Sequence, residues 1–451
     1  MKFLPVILGM ILLAGCATFH SQPIIPEKTA STFEARSLTN DNLHAFLETN
    51  RVTSEWPRRS WDLNTLVLVA FYYQPTLAEA HAQWAAAQAG EITAGERPNP
   101  SVTVTPVTFD IPLETAGKRG KRLAEANALA EAARWDFISA AWQARSRVRT
   151  AFLNYYAAEQ SEHLLAQQEF AQSNVVRLLQ GQFSAGAISD YDVNSARVTL
   201  ETTQLSLQDA AGQLNQARAE LAGALGLPLQ ALDGVKFSFA SLDQFPRDLT
   251  RPEVRRQALF NRADVRGALA QYAASQSDLQ LEIANQYPDI HIGPGYAYNS
   301  GSAGDNQWEL GLTVTLPLLN HNEGPVAEAM AKRTQAAAHF LTVQAAALSE
   351  IDSAYAGYHA ALAESATTKS MLADLTTQLK SVRAQAQLGE VDALALADAE
   401  TAYCTGAQNQ LDARVKAQQA LGALEDAVQS PLTLSTNTLN QVQKNFSQAE
   451  K

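Results

Sequence analysis

Two long stretches of the chain place apolar and small residues at helical spacing, and each is interrupted once by a glycine-bearing turn. The first predicts a helix from about Lys121 to Gly181, roughly 90 Å at about 1.5 Å per residue. A break over Gly181–Ser189 follows, and the helix restarts at Asp190, an acidic N-terminus. The returning helix carries a seven-residue series, Val193, Leu200, Leu207, Leu214 and Leu221, beside a small series, Ala196, Thr203, Ala210, Ala217 and Ala224. The second stretch repeats the small series as Ala399, Gly406, Ala413, Ala420 and Ala427, with a weaker large one at Leu396, Tyr403, Gln410, Ala417 and Leu424. A heptad with one small position lets backbones approach closely in a left-handed coiled coil; an amphipathic core helix is the plainer alternative.

The two stretches are copies. Ala70-Phe71-Tyr72 aligns with Ala258-Leu259-Phe260 at an offset of 188, which also carries Pro100 onto Pro288. Further along, Ala124-Glu125-Ala126 matches Ala327-Glu328-Ala329 at 203, an offset that carries Gly186 onto Gly389. A period near 200 is a domain duplication, well beyond solenoid repeats. The predicted division is 61–226 for the first repeat, 227–252 for a connecting segment and 253–429 for the second. Residues 16–60 read as a lipidated linker or a wrapping segment and 430–451 as a polar tail.

Each repeat also contains period-two alternation. In the second, Ile290–Asn299 and Gln307–Leu316 flank a Ser/Gly/Asp/Asn loop, with Ile290, Ile292, Tyr296 and Tyr298 on one face and Trp308, Leu310, Leu312, Val314 and Leu316 on another. Ten-residue strands with an apolar outer face and aromatics near one end fit an outer-membrane hairpin, or else a soluble hairpin capping a helical bundle. Two or four strands cannot close a membrane barrel, so spanning strands require several chains to share one. In the first repeat Pro100 and Pro112 are 12 positions apart, against 29 for Pro288 and Pro317. Ser101–Phe109 supplies an extended segment there, but Pro106 interrupts it and no full return strand is expected.

Composition narrows the class. Of 451 residues 46% are apolar and 18% charged, with net charge −12, which excludes wholesale disorder and argues against nucleic acid as a partner. Lys2, an apolar run from Phe3 to Leu13 and then Leu13-Ala14-Gly15-Cys16 form an export signal over 1–15 that looks like a bacterial lipobox. Cleavage before Cys16 and lipidation of its thiol are expected; an uncleaved signal anchor is the alternative. The remaining cysteine, Cys404, has no partner and should be buried. Gly117-Lys118-Arg119-Gly120-Lys121-Arg122 lacks the spacing of a phosphate loop and reads as the basic start of a helix. Eight scattered histidines and four methionines suggest no metal site, and no nucleophile–base constellation suggests an enzyme.

The order of lipobox, duplication, hairpins and paired long helices resembles the TolC-like family of outer-membrane efflux proteins over almost the whole mature chain. The nearest flavour is the CzcC/CusC-type cation-efflux branch. The residues that carry the resemblance are Arg97-Pro98-Asn99-Pro100, Pro112-Leu113-Glu114 with Gly117-Lys118-Arg119, and Pro317-Leu318-Leu319-Asn320-His321-Asn322-Glu323-Gly324. At the turns they are Gly186 with Asp192-Val193 and Ala196-Arg197, and Gly389 with Asp398-Ala399. The resemblance implies a mainly α fold with a small β part, in which duplicated long helical hairpins form a coiled-coil tunnel and β-hairpins contribute to a shared trimeric outer-membrane barrel. It implies a homotrimer, a periplasmic adaptor, an inner-membrane RND-type pump and no cofactor. The shortened first hairpin departs from the family pattern.

The same resemblance points to Asp398 as an acidic ring at the tunnel constriction, with Asp192 its neighbour in the first repeat. Carboxylates at helix N-termini are also favoured by the dipole alone, without any pore. Adaptor contact falls on the turns, Gly181, Ala185, Gly186 and Ile188 in one and Leu388, Gly389 and Val391 in the other, where a tight turn explains small residues equally well. Tyr296, Tyr298 and Trp308 are the candidate membrane-interface aromatics. The implied function is a passive conduit from periplasm to exterior for heavy-metal cations. The competing functions are drug efflux, type I protein secretion and a non-conducting, lipid-anchored periplasmic scaffold.

Overall fold

The computed structural model describes residues 18–50, 52, 55–104, 107–246, 249–297 and 307–432. The predicted lipidation site Cys16, the aromatic Tyr298 and the tail beyond 432 lie outside them. Within them the chain runs α1 (Pro26–Glu34), α2 (Asp41–Thr49), β1 (Trp61–Asp62), α3 (Leu63–Tyr73), α4 (Pro75–Gly95), β2 (Ser101–Val104), β3 (Val107–Leu113), α5 (Lys118–Ser184) and α6 (Asp190–Leu225). After β4 (Phe237–Ser238) it continues through α7 (Arg251–Asn261), α8 (Ala263–Ala284), β5 (Ile290–Ala297), β6 (Gln307–Val314), α9 (Glu323–Gln387) and α10 (Ala393–Val428).

The duplication is visible in the caps. Helices α6 and α10 are both 36 residues long, and their ends sit 203 positions apart. The turns ahead of them are the same Schellman motif, in which Ala187 N–H donates to Gln182 O and Glu390 N–H to Gln385 O, both at 2.9 Å. Gly186 and Gly389 take the left-handed position there, with φ +73° and +75°. Helices α5 and α9 have 67 and 65 residues, about 100 Å each. The first runs three residues further at each end than its pattern indicates, so Gly181 is helical and the turn begins at Ala185. Basic residues open α5 because they are recruited into the junction described below.

Helix packing follows one order throughout. In the half nearer the sheet the neighbours run α4–α5–α8–α9, and in the other half α6–α5–α10–α9. The sheet order is β2–β3–β5–β6, all antiparallel. The chain is therefore an open wall with two free edges among the described residues, β2/α4/α6 on one side and β6/α9 on the other. Where helices meet, the small series does the packing: Thr203, Ala210 and Ala217 of α6 and Ala399 and Ala413 of α10 are buried, while Leu200, Leu207 and Leu214 are half-buried.

The N-terminal segment wraps the core, and one expectation about the first hairpin needs correction. The segment 16–60 contains α1 and α2, and Leu38, Leu43 and Leu47 enter the main core against α3, Phe152 and Leu221. Asn40 caps α2 by accepting from the Asn42 and Leu43 N–H groups, and Arg36 Nη1 donates to Tyr73 O (2.9 Å) and Gly226 O (2.8 Å), clasping the arm to the helix ends. The first repeat also has a return strand. β2 and β3 pair from Ser101↔Asp110 to Val104↔Val107, so Val107–Leu113 runs back antiparallel to Ser101–Val104 where no full return strand was expected.

Candidate functional site

The register sorts the sheet into two chemically distinct faces. Directly paired residues share a face, so Val102, Phe109, Ile111, Leu113, Ile290, Ile292, Pro294, Tyr296, Trp308, Leu310, Leu312 and Val314 lie on one side. The other side carries Ser101, Thr103, Thr108, Asp110, Pro112, His291, Gly293, Gly295, Gln307, Glu309, Gly311 and Thr313. The apolar side has no protein cover: Trp308, Leu310 and Leu312 are 82%, 78% and 68% exposed. Tyr296 and Trp308 are cross-strand partners with ring centroids 5.1 Å apart, at one end of the apolar band. From Trp308 to Val314 the strand spans about 20 Å at about 3.4 Å per residue, most of the ~25 Å apolar belt of a membrane barrel.

On the polar side no lysine or arginine appears. Its charged groups are Asp110, Glu309 and, when protonated, His291, whose Nδ1 lies 2.9 Å from Asp110 Oδ1. Gly293 faces the Phe109 carbonyl so closely that a Cβ there would stand 2.8 Å from it, and Gly311 opposes Gly293, which keeps this side low and open.

Sheet and helices meet at a polar junction. Lys118, 7% exposed, donates through Nζ to Tyr287 O and Asp289 Oδ1, both at 2.8 Å. Thr115 donates its N–H to the same carboxylate at 3.0 Å and its hydroxyl to Pro288 O at 2.7 Å. Burial pushes the Asp289 carboxyl up, but the Lys118 ammonium and the Thr115 N–H outweigh it and leave the group below the usual carboxylate range. Arg122 forks onto Glu114, and Asn322 Nδ2 reaches Glu282 at 2.8 Å in the second repeat.

Midway along the wall, α5 is tied to α10 by buried charge. Arg145 Nη2 meets Glu425 Oε2 at 2.9 Å, and Arg149 Nη2 donates to Gln418 Oε1 at 3.0 Å. Gln418 Nε2 donates in turn to Leu242 O at 2.6 Å, and Asp426 accepts from Trp142 Nε1 (2.8 Å) and Ser146 Oγ (2.6 Å). Burial pushes the Arg149 guanidinium down, opposed by the Glu425 carboxylate. Gly422 makes room for it, since a Cβ there would lie 1.9 Å from Arg149 Nη1. Sequence reasoning missed this knot. The signal was the series Cys404, Leu411, Gln418 and Glu425, seven apart and all buried, set against two arginines four apart. Cys404 is buried as expected, and burial pushes its thiol up.

At the far end the turns are exposed: Gly181, Ala185, Gly186, Leu388 and Gly389 are open, with Ile188 and Val391 half-covered. Asp192 has a local task, since Oδ2 accepts from Ser189 N–H (3.1 Å) and Oγ (2.7 Å) in a capping box. Asp398 is exposed and makes no hydrogen bond among the described residues. At the repeat offset of 203, Asp192 falls on Ala395 and Asp398 on Ser195, so the two carboxylates stand at different levels. No group of three or more His, Cys, Asp or Glu side chains assembles among the described residues, and no helix there is long and apolar enough to cross a membrane.

Comparison with known proteins places this architecture. The family model described as "outer membrane efflux protein" matches residues 103–227 and 254–428, one stretch in each repeat. The cobalt-zinc-cadmium resistance protein CzcC of Cupriavidus metallidurans is 25% identical over 241 residues, 53% of this chain and 56% of that protein. The pyoverdine export outer membrane protein OpmQ of Pseudomonas aeruginosa is 27% identical over 182 residues, 39% of this chain and 37% of that one. The matched region thus spans about half or less of these relatives' own lengths. The outer membrane protein VceC of Vibrio cholerae shares the fold at a TM-score of 0.67 and 19% identity, covering 82% of this chain and 96% of that one.

Proposed function

The chain belongs to the outer membrane efflux protein family and is an outer-membrane protein, and on that premise we propose that three copies close into one passive conduit serving a tripartite export system. The observation that carries this reading is the open wall, whose sheet and both helical tiers end on the same two edges. Joining β6/α9 of one copy to β2/α4/α6 of the next is a head-to-tail contact that generates a ring. Three copies give twelve strands, within the range of membrane barrels. The apolar face then meets lipid, with Tyr296 and Trp308 at the interface, and the polar face lines the lumen. Helix α6 supports the same closure, because Tyr191, Val198 and Leu205 are exposed at seven-residue spacing along its outer side.

Cations are the favoured cargo. Asp110 and Glu309 on the polar face, where His291 beside Asp110 is the one titratable base and no lysine or arginine appears among the described residues, attract cations and repel anions. The relative CzcC, named for cobalt, zinc and cadmium resistance, points to heavy-metal ions, whereas OpmQ keeps larger exported molecules in view. At the periplasmic end Asp398 lines the constriction and the exposed turns, Gly181, Ala185, Gly186 and Ile188 with Leu388, Gly389 and Val391, receive the adaptor of an RND-type pump. Cys16 carries the lipid. Insertion of a protease site at Ser302 tests the spanning: cleavage on intact cells is expected, and protection until the outer membrane is broken would return the chain to an anchored periplasmic scaffold.

A further inference from the structure

The corner joining β6 to α9 is more apolar than its place in a soluble junction would allow. Leu316, Leu318 and Leu319 are 65%, 74% and 101% exposed, three large side chains in four residues, with a tight turn closed by Leu318 N–H to Leu316 O at 2.9 Å. The corresponding corner of the first repeat has the same Pro-Leu start, Pro112-Leu113, but then Glu114 and Thr115, and both are tied down, Glu114 by Arg122 and Thr115 by Asp289 and Pro288. In the second repeat Leu318 and Leu319 follow Pro317, and among the described residues nothing covers them.

Their position names the occupant. Trp308, Leu310, Leu312 and Val314 form most of an apolar belt of membrane height, and Leu316, Leu318 and Leu319 extend it beyond β6 at the end nearer the helices. We propose that Leu316, Leu318 and Leu319 are an interfacial anchor, seated in the phospholipid leaflet that faces the periplasm. Each copy contributes one such corner, which fixes the depth of the protein at the junction between barrel and tunnel. A leucine cluster at that level lies between acyl chains and glycerol, where an apolar side chain gains from leaving water without needing a protein partner. The inference rests on the reading that the sheet crosses the outer membrane.

Nitroxide spin labels test it in the full-length protein, reconstituted in phosphatidylethanolamine–phosphatidylglycerol vesicles. Labels are placed at Leu319→Cys, at Leu312→Cys in mid-sheet and at Leu388→Cys at the aqueous turn. All are made in a Cys404→Ser background, and that background alone gives the signal to subtract. Collision with oxygen relative to a water-soluble nickel chelate is expected to be several-fold higher at position 319 than at 388, and highest at 312. A label at 319 as open to nickel as the one at 388 would overturn the anchor. So would a label at 319 shielded from both reagents, which would place the corner against a second copy near the exposed Ile92 at the free α4 edge. A label at 312 open to nickel would remove the spanning sheet itself, and the anchor with it.

Discussion

Helices α3 and α7 occupy equivalent places in the two repeats, 188 residues apart, yet one is core and the other surface. In α3, eight of eleven residues are buried, among them Leu66, Val69 and Ala70. In α7 only Val254 and Ala258 are among the described side chains, and Arg251 and Phe260 are exposed. The cause is the N-terminal arm. Helix α2 covers the outer side of α3 while α5 and α6 hold its inner side, whereas α7 rests mainly on α9 and α10. A duplicated backbone can thus be stabilised unequally. The second repeat has the smaller core, and the Arg145–Arg149–Glu425 knot ties its last helix to the first repeat's longest one.

Cutting that tie should have the largest effect. Glu425→Gln leaves two buried arginines short of a counter-charge and is expected to cost about 3–5 kcal/mol. Hydrogen exchange should then quicken in α7 and the adjoining part of α9 before α3, and uniform quickening would show that the repeats do not differ in this way. The cores themselves come next: Leu66→Ala should cost about 2–5 kcal/mol as a buried leucine lost to a cavity, and Phe260→Ala at the exposed face of α7 no more than about 0.5 kcal/mol. Thermal denaturation of both variants checks the contrast.

Smaller effects separate the helix ends. Gly226 has φ +72° and a Cβ there would meet Tyr73 O at 2.9 Å, whereas Gly186 at φ +73° has open space around it. Gly186→Ala should show the left-handed strain alone, about 1–3 kcal/mol, and Gly226→Ala more than that by the same denaturation measurement. The smallest effect is at the junction. Because the folded Asp289 carboxyl lies below its ordinary range, its contribution is complete above about pH 4 and is lost as pH falls through the folded value. The melting temperature of Asp289→Asn should therefore fall less than that of the wild type on acidification below about pH 4, and parallel curves would remove the role assigned to the Lys118–Asp289 pair.

The same contrast explains what could be read in advance. The long helices announce themselves, because Ala-rich heptads and a Gly turn repeat at one offset in both copies. Strands β5 and β6 are legible from alternation, β6 ending two residues short of the predicted Leu316 limit. The N-terminal arm is not, since Leu38, Leu43 and Leu47 stand in a polar context and matter only once α3 offers them a surface. The knot hides for a related reason: Gln418 and Glu425 look like solvated positions until α5 brings two arginines to them. Asp192 has a local task that its place in the repeat does not announce, a capping box with Ser189.

The claim on which the rest depends is that copies of this wall close into a cation-favouring pore, and single-channel recording of the purified protein in a planar bilayer addresses it directly. Stable conductance steps are predicted, with a reversal potential favouring cations that weakens in Asp110→Asn/Glu309→Gln. Asp398→Ala is expected to raise the conductance of the closed end. Silence from inserted protein, persisting in Asp398→Ala, would contradict the account.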